Sequence, residues 1–322
     1  MLAAMADELP TGRTWVYEPK WDGFRATATA DAEGTPALIS RRGTDLSDAF
    51  PEIVRAVAQV LPAASIVDGE IVRWAGGRLD FEALQRRNRT NRRGALQLAR
   101  TEPCHLIVFD LVQHGGADLS GAPLTERRRQ LEGLMAEAPN TLTIGMQTGD
   151  IDTACMWSQQ LADVGVEGIV AKRADERYRP GVRGWQKVKH YTTTEAIVGG
   201  VTGRLDAPDG LVLGRIHRDD GQLHIVGHTT ELSPQAAQVI AGQIRPAGDE
   251  HPWPSQLPPS WKDRTARDYH RVVPELVVEV RVDVAATYEA GRPGHWRHRL
   301  RLLRVRDDLA AEDVPPDLDL SV

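Results

Sequence analysis

The spacing of apolar residues changes near residue 190, and this change most constrains how the chain can fold. Before it, short apolar runs typical of strands alternate with amphipathic stretches typical of helices. After it, short β-rich runs dominate, and Asp219-Asp220-Gly221 between two of them predicts a hairpin. The chain has 322 residues, enough for two domains. We therefore expect one domain at 1–190 and a second at 191–322, with the polar residues 192–194 as the link.

The first domain is predicted to mix strands with helices, which indicates an α+β or α/β fold. The expected strands are 15–17, 37–40, 65–72, 105–112, 168–172 and 185–190. The expected helices are 51–61, 79–86, 124–137 and 152–164.

The second domain is predicted to be β-rich with a single helix. Its expected strands are 196–201, 211–217, 222–228 and 275–282, and its expected helix is 232–244. Short strands with one helix over this length fit a small Greek-key β-barrel such as an OB-fold, which commonly binds nucleic acid.

The composition is that of a soluble globular protein, with 41% hydrophobic and 26% charged residues. No apolar run is long enough to span a membrane, and residues 1–14 lack the pattern of a secretory signal. Cys104 and Cys155 lack the spacing of a metal site, so we interpret them as reduced thiols. These features predict a cytoplasmic protein without a membrane partner.

Positive charge is concentrated in two short segments, although the net charge is −6. Residues 86–93 hold five arginines and residues 292–306 hold six, and neither segment contains an acidic residue. Local basic segments on an acidic protein fit a nucleic-acid partner that is held at defined places. The alternative is that either segment is simply a solvated charged surface.

Lysine is rare in this chain. Of 39 lysine and arginine residues, five are lysines, at positions 20, 172, 187, 189 and 262. Arginine keeps its proton at neutral pH and cannot act as a nucleophile, whereas lysine can. The few lysines are therefore the first candidates for chemistry.

Lys20 lies in the segment Glu18-Pro-Lys-Trp-Asp-Gly-Phe-Arg25, directly after a predicted strand. The pattern K-x-D-G alone is weak, but the full segment is specific. It resembles the first motif of the covalent nucleotidyltransferase superfamily, which contains DNA ligases, RNA ligases and mRNA capping enzymes. In that family the lysine, as a neutral amine, attacks the α-phosphate of a nucleotide and forms a phosphoramidate.

Further segments resemble the family's motifs in the expected order, namely 40–43 (SRRG), 67–70 (VDGE), 106–111 with Phe109, 166–172 (VEGIVAK) and 185–189 (WQKVK). In its short sequence motifs, the chain most resembles ATP-dependent DNA ligases of the bacterial ligase C type and the ligase module of ligase D. Segments 80–87, 251–253 and 274–283 support this resemblance. It implies an α+β adenylation domain of antiparallel sheets with flanking helices, followed by a β-barrel OB-fold domain.

The resemblance also implies a reaction and its residues. ATP would adenylate Lys20, AMP would pass to a 5′-phosphate at a nick in double-stranded DNA, and the 3′-hydroxyl would displace it. Glu70 and Glu167 would hold Mg²⁺ or Mn²⁺ as carboxylate ligands that meet across a sheet. The other nucleotide-binding residues would be Glu18, Arg25, Arg41, Phe109, Lys187 and Lys189.

Lys187 and Lys189 alternate along a strand, so they would stabilise transition-state charge from one face. The expected protein is a monomer that acts in DNA repair in the bacterial cytoplasm, at the nucleoid.

The last motif of this chain differs from the family pattern at its final position. In relatives it ends in a lysine or arginine that contacts the β- and γ-phosphates of ATP, but Leu309 stands at that position. Arg304 and Arg306 are the alternatives for that charge. The earlier basic segment is expected to be a loop that binds DNA phosphates through Arg86, Arg87, Arg89, Arg92 and Arg93.

Two other functions are compatible with parts of the sequence. A capping guanylyltransferase or RNA ligase belongs to the same superfamily, but the segments WDGFR, DFEALQRR and VVEV favour a DNA ligase. A non-catalytic OB-type DNA-binding protein is a different class, and intact lysine motifs in a lysine-poor chain argue against it. The mass gained by the purified protein discriminates, since it is AMP for a ligase, GMP for a capping enzyme and nothing for a binding protein.

Overall fold

The computed structural model describes the chain except for residues 249, 258–266, 284, 288–293, 317 and 319–322. The chain divides into two compact units, Met1–His190 and Tyr191–Val322, which we call the first and the second unit. Within the described residues, no helix is long and apolar enough to cross a membrane.

The first unit contains two main sheets and five helices. Its strands are β1 Ala3–Met5, β2 Trp15–Pro19, β3 Phe24–Ala30, β4 Pro36–Ser40, β5 Ser65–Val72, β6 Trp74–Ala75, β7 Arg78–Leu79, β8 His105–His114, β9 Ala117–Asp118, β10 Leu142–Ile144, β11 Gly168–Arg173 and β12 Trp185–Lys189. Its helices are α1 Pro51–Val60, α2 Phe81–Arg89, α3 Arg92–Thr101, α4 Leu124–Met135 and α5 Ile151–Gln160.

The two sheets differ in size, and each contains both antiparallel and parallel pairs. The larger sheet has the order β10-β8-β5-β3-β4, with β9 paired to β8, and the smaller sheet has the order β1-β12-β11-β2. Most neighbours are antiparallel, but β1 pairs with β12, and β10 with β8, in parallel. The α+β class therefore holds, and the expectation of antiparallel sheets is corrected to mixed sheets in which most pairs are antiparallel.

A hydrophobic core lies between the larger sheet and α1. Alternate residues of β3, namely Ala26, Ala28 and Ala30, are buried, as expected for one face of a strand. Ile53 of α1 is buried in the same cluster. Pro51 begins α1, where its fixed φ suits the first helical turn.

Residues 86–93, predicted as a loop, form the end of α2 and the beginning of α3. Asp80 caps α2 by accepting a hydrogen bond from the Ala83 N–H at 2.9 Å. Asn91 caps α3 by accepting one from the Gly94 N–H at 2.9 Å. The loop prediction is wrong because such caps allow a helix to begin within a polar, arginine-rich segment.

The second unit is built on one antiparallel sheet. Its strands are β13 Tyr191–Arg204, β14 Ala207–Ile216, β15 Leu223–His228, β16 Gln256–Leu257, β17 Arg267–Asp268, β18 His270–Arg271, β19 Val277–Asp283, β20 Ala286–Thr287, β21 His295–Trp296 and β22 Arg301–Val305. Its helices are α6 Pro234–Ala241 and a 3₁₀ turn at Ala311–Asp313. The main sheet has the order β15-β14-β13-β19-β22, with β18 also paired to β13.

The two edges of this sheet approach each other beyond β15. Thr229 forms a bridge with Leu300, and the Leu300 N–H donates to the His228 carbonyl at 2.8 Å. Residues 192–194, predicted as a link, instead lie in β13 and pair with β19. That prediction is wrong because threonine is β-branched and suits a strand.

Candidate active site

Lys20 follows β2 and is held by backbone hydrogen bonds to the beginning of β11. Its N–H donates to the Gly168 carbonyl at 2.7 Å, and its carbonyl accepts from the Glu167 N–H at 2.9 Å. Gly168 has a φ of +140°, and a Cβ there would lie 2.1 Å from the Val188 carbonyl oxygen, so only glycine fits. Strand pairing therefore places Lys20 beside Glu167.

The side chains of these two residues form an ion pair between Lys20 Nζ and Glu167 Oε2. Glu167 is buried, and Lys189 Nζ lies 3.6 Å from the same oxygen. One buried carboxylate thus faces two ammonium groups. A carboxylate in direct contact with an amine can orient it and accept its proton.

A cavity of about 310 Å³ opens beside Lys20, within the size range of small-molecule sites. Basic side chains outnumber acidic ones in its wall, so it favours an anion. Its lining residues are Leu2, Ala3, Glu18, Pro19, Lys20, Trp21, Arg25, Arg41, Glu70, Phe109, Val170, Lys172, Arg183, Trp185 and Lys187.

Glu18 is fixed in the cavity wall by two partners. It accepts a hydrogen bond from Gln147 Nε2 at 2.8 Å and pairs with Lys172 Nζ at 2.6 Å. Lys172 is buried, with Nζ 4.5 Å from the Phe109 ring centroid and 4.2 Å from that of Trp185. Two aromatic rings beside a fixed carboxylate form a surface that suits a nucleobase.

Arg25 is fixed by a buried carboxylate. It lies opposite Glu70 across β3 and β5, and its guanidinium binds Asp68 through Nε at 3.1 Å and Nη2 at 2.5 Å. The Tyr178 hydroxyl donates to the same carboxylate at 2.8 Å. Burial and the charge of Asp68 raise the pKa of Tyr178, so its hydroxyl keeps the proton that it donates.

A second buried pair supports this arrangement from α4. Asp110, the neighbour of Phe109, is bound by Arg127 through Nε at 2.7 Å and Nη2 at 3.0 Å. Arg127 also donates to the Glu176 carbonyl at 2.8 Å, and its guanidinium lies 5.7 Å from the Tyr178 ring centroid. The pair therefore connects β8 to the segment that carries Tyr178.

Lys187 and Glu70 have shifted pKa values in the cavity wall. Burial lowers the pKa of the Lys187 amine, and the positive charges of Lys20 and Lys189 lower it further. Burial raises the pKa of the Glu70 carboxyl to about 8. A bound anion would stabilise the charged form of Lys187, and a bound cation that of Glu70. The two shifts together fit a nucleotide phosphate accompanied by a metal cation.

The structure brings most of the predicted nucleotide-site residues to this cavity. Lys189 and Glu167 contact each other beside Lys20 rather than lining the cavity. Glu70 lies in β5 of the larger sheet, whereas Glu167 precedes β11 of the smaller sheet. The expectation that these two glutamates meet across one sheet is therefore wrong. The predicted residues that do line the cavity are Glu18, Lys20, Arg25, Arg41, Glu70, Phe109 and Lys187.

Several residues of the site had no predicted role, among them Lys172, Trp185, Gln147 and Arg183. Lys172 and Trp185 lie inside the recognised segments, and the scarcity of lysine was a signal for Lys172. Gln147 carries no signal, because it lies outside every motif and reaches Glu18 only through the fold. Arg183 lies just before a recognised segment and lines the cavity.

Arg87 does not share the predicted role in DNA binding. Its buried side chain pairs with Glu52 of α1, and its Nε donates to the Ala49 carbonyl at 2.8 Å. The DNA-binding prediction is therefore wrong for this residue, which holds α2 to α1. The remaining arginines of the segment are exposed, namely Arg86, Arg89, Arg92 and Arg93.

The cations near Leu309 are compensated within the second unit. Arg304 Nε lies 2.7 Å from Glu279 Oε2, and Arg306 Nη1 lies 2.7 Å from Glu195 Oε1. Leu309 packs, partly buried, against a hydrophobic cluster. Residues 292–293 of the second basic segment lie outside the described residues.

Comparison with known proteins places the chain in a family. A family model described as an ATP dependent DNA ligase domain matches residues 1–189. The chain is 33% identical to DNA ligase C2 of Mycolicibacterium smegmatis, with 98% of this chain and 94% of that protein covered. It is 32% identical to DNA ligase C of Mycobacterium tuberculosis, over 96% of this chain and 89% of that protein. A solved structure, a mycobacterial DNA ligase D complexed with ATP and MES, is 28% identical over 98% of both chains, with a TM-score of 0.50.

The chain belongs to the ATP-dependent DNA ligase family. The resemblance found in the sequence is therefore confirmed, and the enzyme uses ATP to join DNA.

Proposed function

We propose that Lys20 is the residue of this ligase that carries AMP between ATP and a nick in duplex DNA. One observation carries the proposal. Lys20 Nζ contacts the buried carboxylate of Glu167 at the wall of a cation-rich cavity of nucleotide size. A lysine so placed can lose its proton to the carboxylate and act as a nucleophile.

In the first step, Lys20 Nζ attacks the α-phosphorus of ATP. A nitrogen–phosphorus bond forms, the bond between the α-phosphorus and the bridging oxygen breaks, and pyrophosphate leaves with the electron pair. Glu167 receives the proton of the amine. Lys187 stabilises the negative charge that develops on the phosphoryl oxygens, since its amine lines the same cavity wall as Lys20.

In the later steps, AMP moves to DNA. An oxygen of the 5′-phosphate at the nick attacks the adenylate phosphorus, the bond to Lys20 breaks, and the leaving amine takes back the proton from Glu167. The 3′-hydroxyl then attacks the activated 5′-phosphate and loses its proton to water, and AMP leaves with the electron pair as the phosphodiester forms. The contribution of the protein is to hold these groups in line.

The proposed contacts of the nucleotide follow from the chemistry of the side chains that line the cavity. Glu18 and Phe109 bind the base, because the carboxylate is fixed by Gln147 and the ring forms part of the aromatic surface. Arg25 and Arg41 bind ribose and phosphate.

A divalent cation, Mg²⁺ or Mn²⁺, would be held by Glu70 and Glu167. Glu70 fits, since burial disfavours its charged form and a cation at this wall would restore it. Glu167 fits less directly, because its Oε2 already faces both Lys20 and Lys189. When bound, the cation would neutralise phosphate charge.

Exposed arginines at the junction of α2 and α3 are proposed to bind the DNA backbone. Arg86 and Arg92 have side chains 65% and 77% exposed, and their nearest carboxylates lie 4.0 Å and 3.4 Å away. Such weakly compensated charges suit phosphates, whose neutralisation releases counterions.

The second unit is proposed to be an OB-fold that binds DNA. Its antiparallel sheet, the long strand β13 with partners along both sides, and the bridge between Thr229 and Leu300 support a closed small barrel.

Intact mass measurement tests the proposed role of Lys20. The wild-type protein incubated with ATP should gain the mass of AMP, and Lys20→Arg should gain nothing while keeping its unfolding midpoint, because arginine cannot become a neutral nucleophile. Adenylation of the Lys20→Arg variant would disprove the assignment. Incubation with GTP serves as the control, since a mass gain of GMP would instead indicate a capping enzyme.

A further inference from the structure

Gln147 belongs to none of the recognised motifs and does not line the cavity, yet it contacts a residue of the cavity wall. Its half-buried side chain donates a hydrogen bond from Nε2 to Glu18 Oε1 at 2.8 Å. Glu18 is the carboxylate proposed to bind the base of the nucleotide. Gln147 can therefore act on the nucleotide only through Glu18.

The segment that carries Gln147 is held by backbone hydrogen bonds on both sides. On one side, the Gly145 N–H donates to the Val108 carbonyl of β8 at 2.7 Å. On the other side, Thr148 and Tyr17 of β2 exchange two hydrogen bonds, at 2.8 Å and 3.0 Å. Since β8 carries the ring and β2 the carboxylate proposed to bind the base, Gln147 is fixed relative to both.

Both oxygens of the Glu18 carboxylate have a partner in the protein. Oε1 accepts from Gln147, and Oε2 lies 2.6 Å from Lys172 Nζ. The Lys172 side chain is buried, with Nζ 4.2 Å from the Trp185 ring centroid and 4.5 Å from that of Phe109. The carboxylate therefore cannot turn to present both oxygens side by side without losing a partner.

Adenine and guanine place different demands on such a carboxylate. Adenine has one donor on its pairing edge, the 6-amine, next to the acceptor N1, so a single carboxylate oxygen is enough. Guanine has two adjacent donors, N1–H and the 2-amine, which a freely turning carboxylate can bind with both oxygens at once. A carboxylate that is held at each oxygen consequently favours adenine.

We propose that Gln147 is a positioning residue that makes this active site select adenine over guanine. By fixing Glu18 Oε1, it withholds the contact of two oxygens that guanine would need. This role rests on the proposed binding of the base by Glu18 and Phe109. One fixed hydrogen bond is enough for selection, because a polar group left unpaired in a buried site strongly disfavours the wrong ligand.

The test compares Gln147→Leu and Gln147→Glu with Gln130→Leu. Gln147→Glu keeps the shape of the side chain but replaces the donor by an acceptor. Gln130 is a matched control, because it is half-buried, donates from Nε2 to Glu126 Oε1 at 2.8 Å and does not line the cavity. Intact mass measurement follows the rate of nucleotide transfer to Lys20 over a range of concentrations of ATP, GTP and ITP.

Both Gln147 variants should lower the preference for ATP over GTP by about 10-fold to 100-fold, and Gln130→Leu should leave it unchanged. ITP keeps O6 and N1–H but lacks the 2-amine, so in the Gln147 variants it should gain less than GTP. An unchanged preference in both Gln147 variants would overturn the proposal. A lowered unfolding midpoint with equal losses for ATP and GTP would also overturn it, since that result indicates structural support alone. Equal gains for ITP and GTP would contradict the contact of two oxygens.

Failure of this proposal is distinguishable from failure of the proposed function. If Lys20→Arg still gains AMP, the nucleophile assignment fails whatever Gln147 does. If Lys20 carries AMP and the Gln147 variants keep the wild-type preference, Lys20 remains the nucleophile and the selection by Gln147 alone is wrong.

Discussion

At the scale of single residues, Lys187 and Lys189 alternate along β12 but have different surroundings. Lys187 lines the cavity, and its pKa is lowered by burial and by neighbouring ammonium groups. Lys189 instead lies 3.6 Å from Glu167 Oε2. In the proposed reaction the first would contact a phosphate, whereas the second contacts the carboxylate that pairs with Lys20.

Both lysines are predicted to matter for adenylation without carrying AMP. Lys187→Ala should slow the gain of AMP on Lys20 by on the order of 100-fold, as expected when one charge-stabilising group is removed. Lys189→Ala should slow adenylation less, since this substitution removes only a positive charge next to Glu167. Single-turnover labelling with α-labelled ATP measures both. An unchanged rate in Lys187→Ala would show that this amine does not contact the phosphate.

Tyr178 is predicted to position Arg25 through Asp68. Tyr178→Phe removes the hydroxyl that donates to Asp68 at 2.8 Å, so it should raise the KM for ATP several-fold while leaving Lys20 in place. Loss of this hydrogen bond should also lower the free energy of unfolding by about 1 kcal/mol. Adenylation rates over a range of ATP concentrations, together with urea unfolding, measure the two effects.

Tyr17→Phe is the matched control for this prediction. Tyr17 is buried, and its hydroxyl also donates one hydrogen bond, to the Pro10 carbonyl at 2.7 Å, but the residue does not line the cavity. It should lose similar stability with no change in KM. An equal rise of KM in both variants would mean that general destabilisation, rather than the position of Arg25, explains the effect.

Residues in short local patterns could be predicted, and residues that depend on distant contacts could not. Lys20 and Glu70 each sit in a segment whose neighbours identify it. Gln147 is 129 positions from Glu18 along the chain, so nothing local connects the two. Arg87 shows the reverse error, because its sequence neighbours are exposed arginines while its own side chain is buried.

At the scale of elements, the strands and helices that could not be predicted from the sequence are those whose buried face lacks large apolar residues. The inward face of β3 consists of alanines between threonines, so the strand lacks the large apolar residues that reveal alternation. Within α3 only Ala95 is buried, and arginines occur at both ends of the segment, so its polar composition favoured a loop. Helices with several buried apolar residues, such as α1, are predictable to within a few residues.

The exposed arginines of α2 and α3 are predicted to bind DNA phosphates. Replacing Arg86, Arg89, Arg92 and Arg93 by serine should weaken binding of a nicked duplex and flatten its dependence on salt. The log–log slope should fall by about 0.9 for each phosphate that the variant no longer neutralises. Lys20 adenylation should continue at the normal rate. Nick binding at several salt concentrations, beside an adenylation assay, measures both.

Arg129→Ser provides a control, because this arginine is 71% exposed on α4 and, among the described residues, pairs only with Glu126 in the same helix. It should leave the salt dependence unchanged. Unchanged affinity in the four-arginine variant would favour a solvated surface, and an adenylation defect as large as the binding defect would place these residues in the nucleotide site or the fold.

At the scale of the whole molecule, the partition of strands between sheets could not be predicted. Glu70 and Glu167 belong to different sheets because β5 pairs with β3 and β8, whereas β11 pairs with β2 and β12. These pairings join segments far apart in sequence, which local periodicity does not encode. The order of the motifs was predictable, but their meeting at one cavity is a property of the assembled sheets.

Residues 1–190 are predicted to fold alone and keep a nucleotide cavity. Every residue that lines the cavity lies in this stretch, and so do two of the hydrophobic clusters. The fragment should unfold cooperatively in urea and gain AMP more slowly than the full chain, because the last motif is absent. It should seal nicks poorly. Loss of cooperative unfolding would show that the first unit depends on residues beyond 190.

The buried pair between Arg87 and Glu52 has a consequence for any arginine scan of this enzyme. Removing one partner of a buried ion pair costs about 3–5 kcal/mol, a large part of the total stability of an ordinary domain. A variant of Arg87 would therefore lose DNA binding by unfolding, and a scan without a stability measurement would report it as the strongest contact on that face. The apparent hot spot would mark a residue that supports the surface, while the proposed DNA contacts are its exposed neighbours.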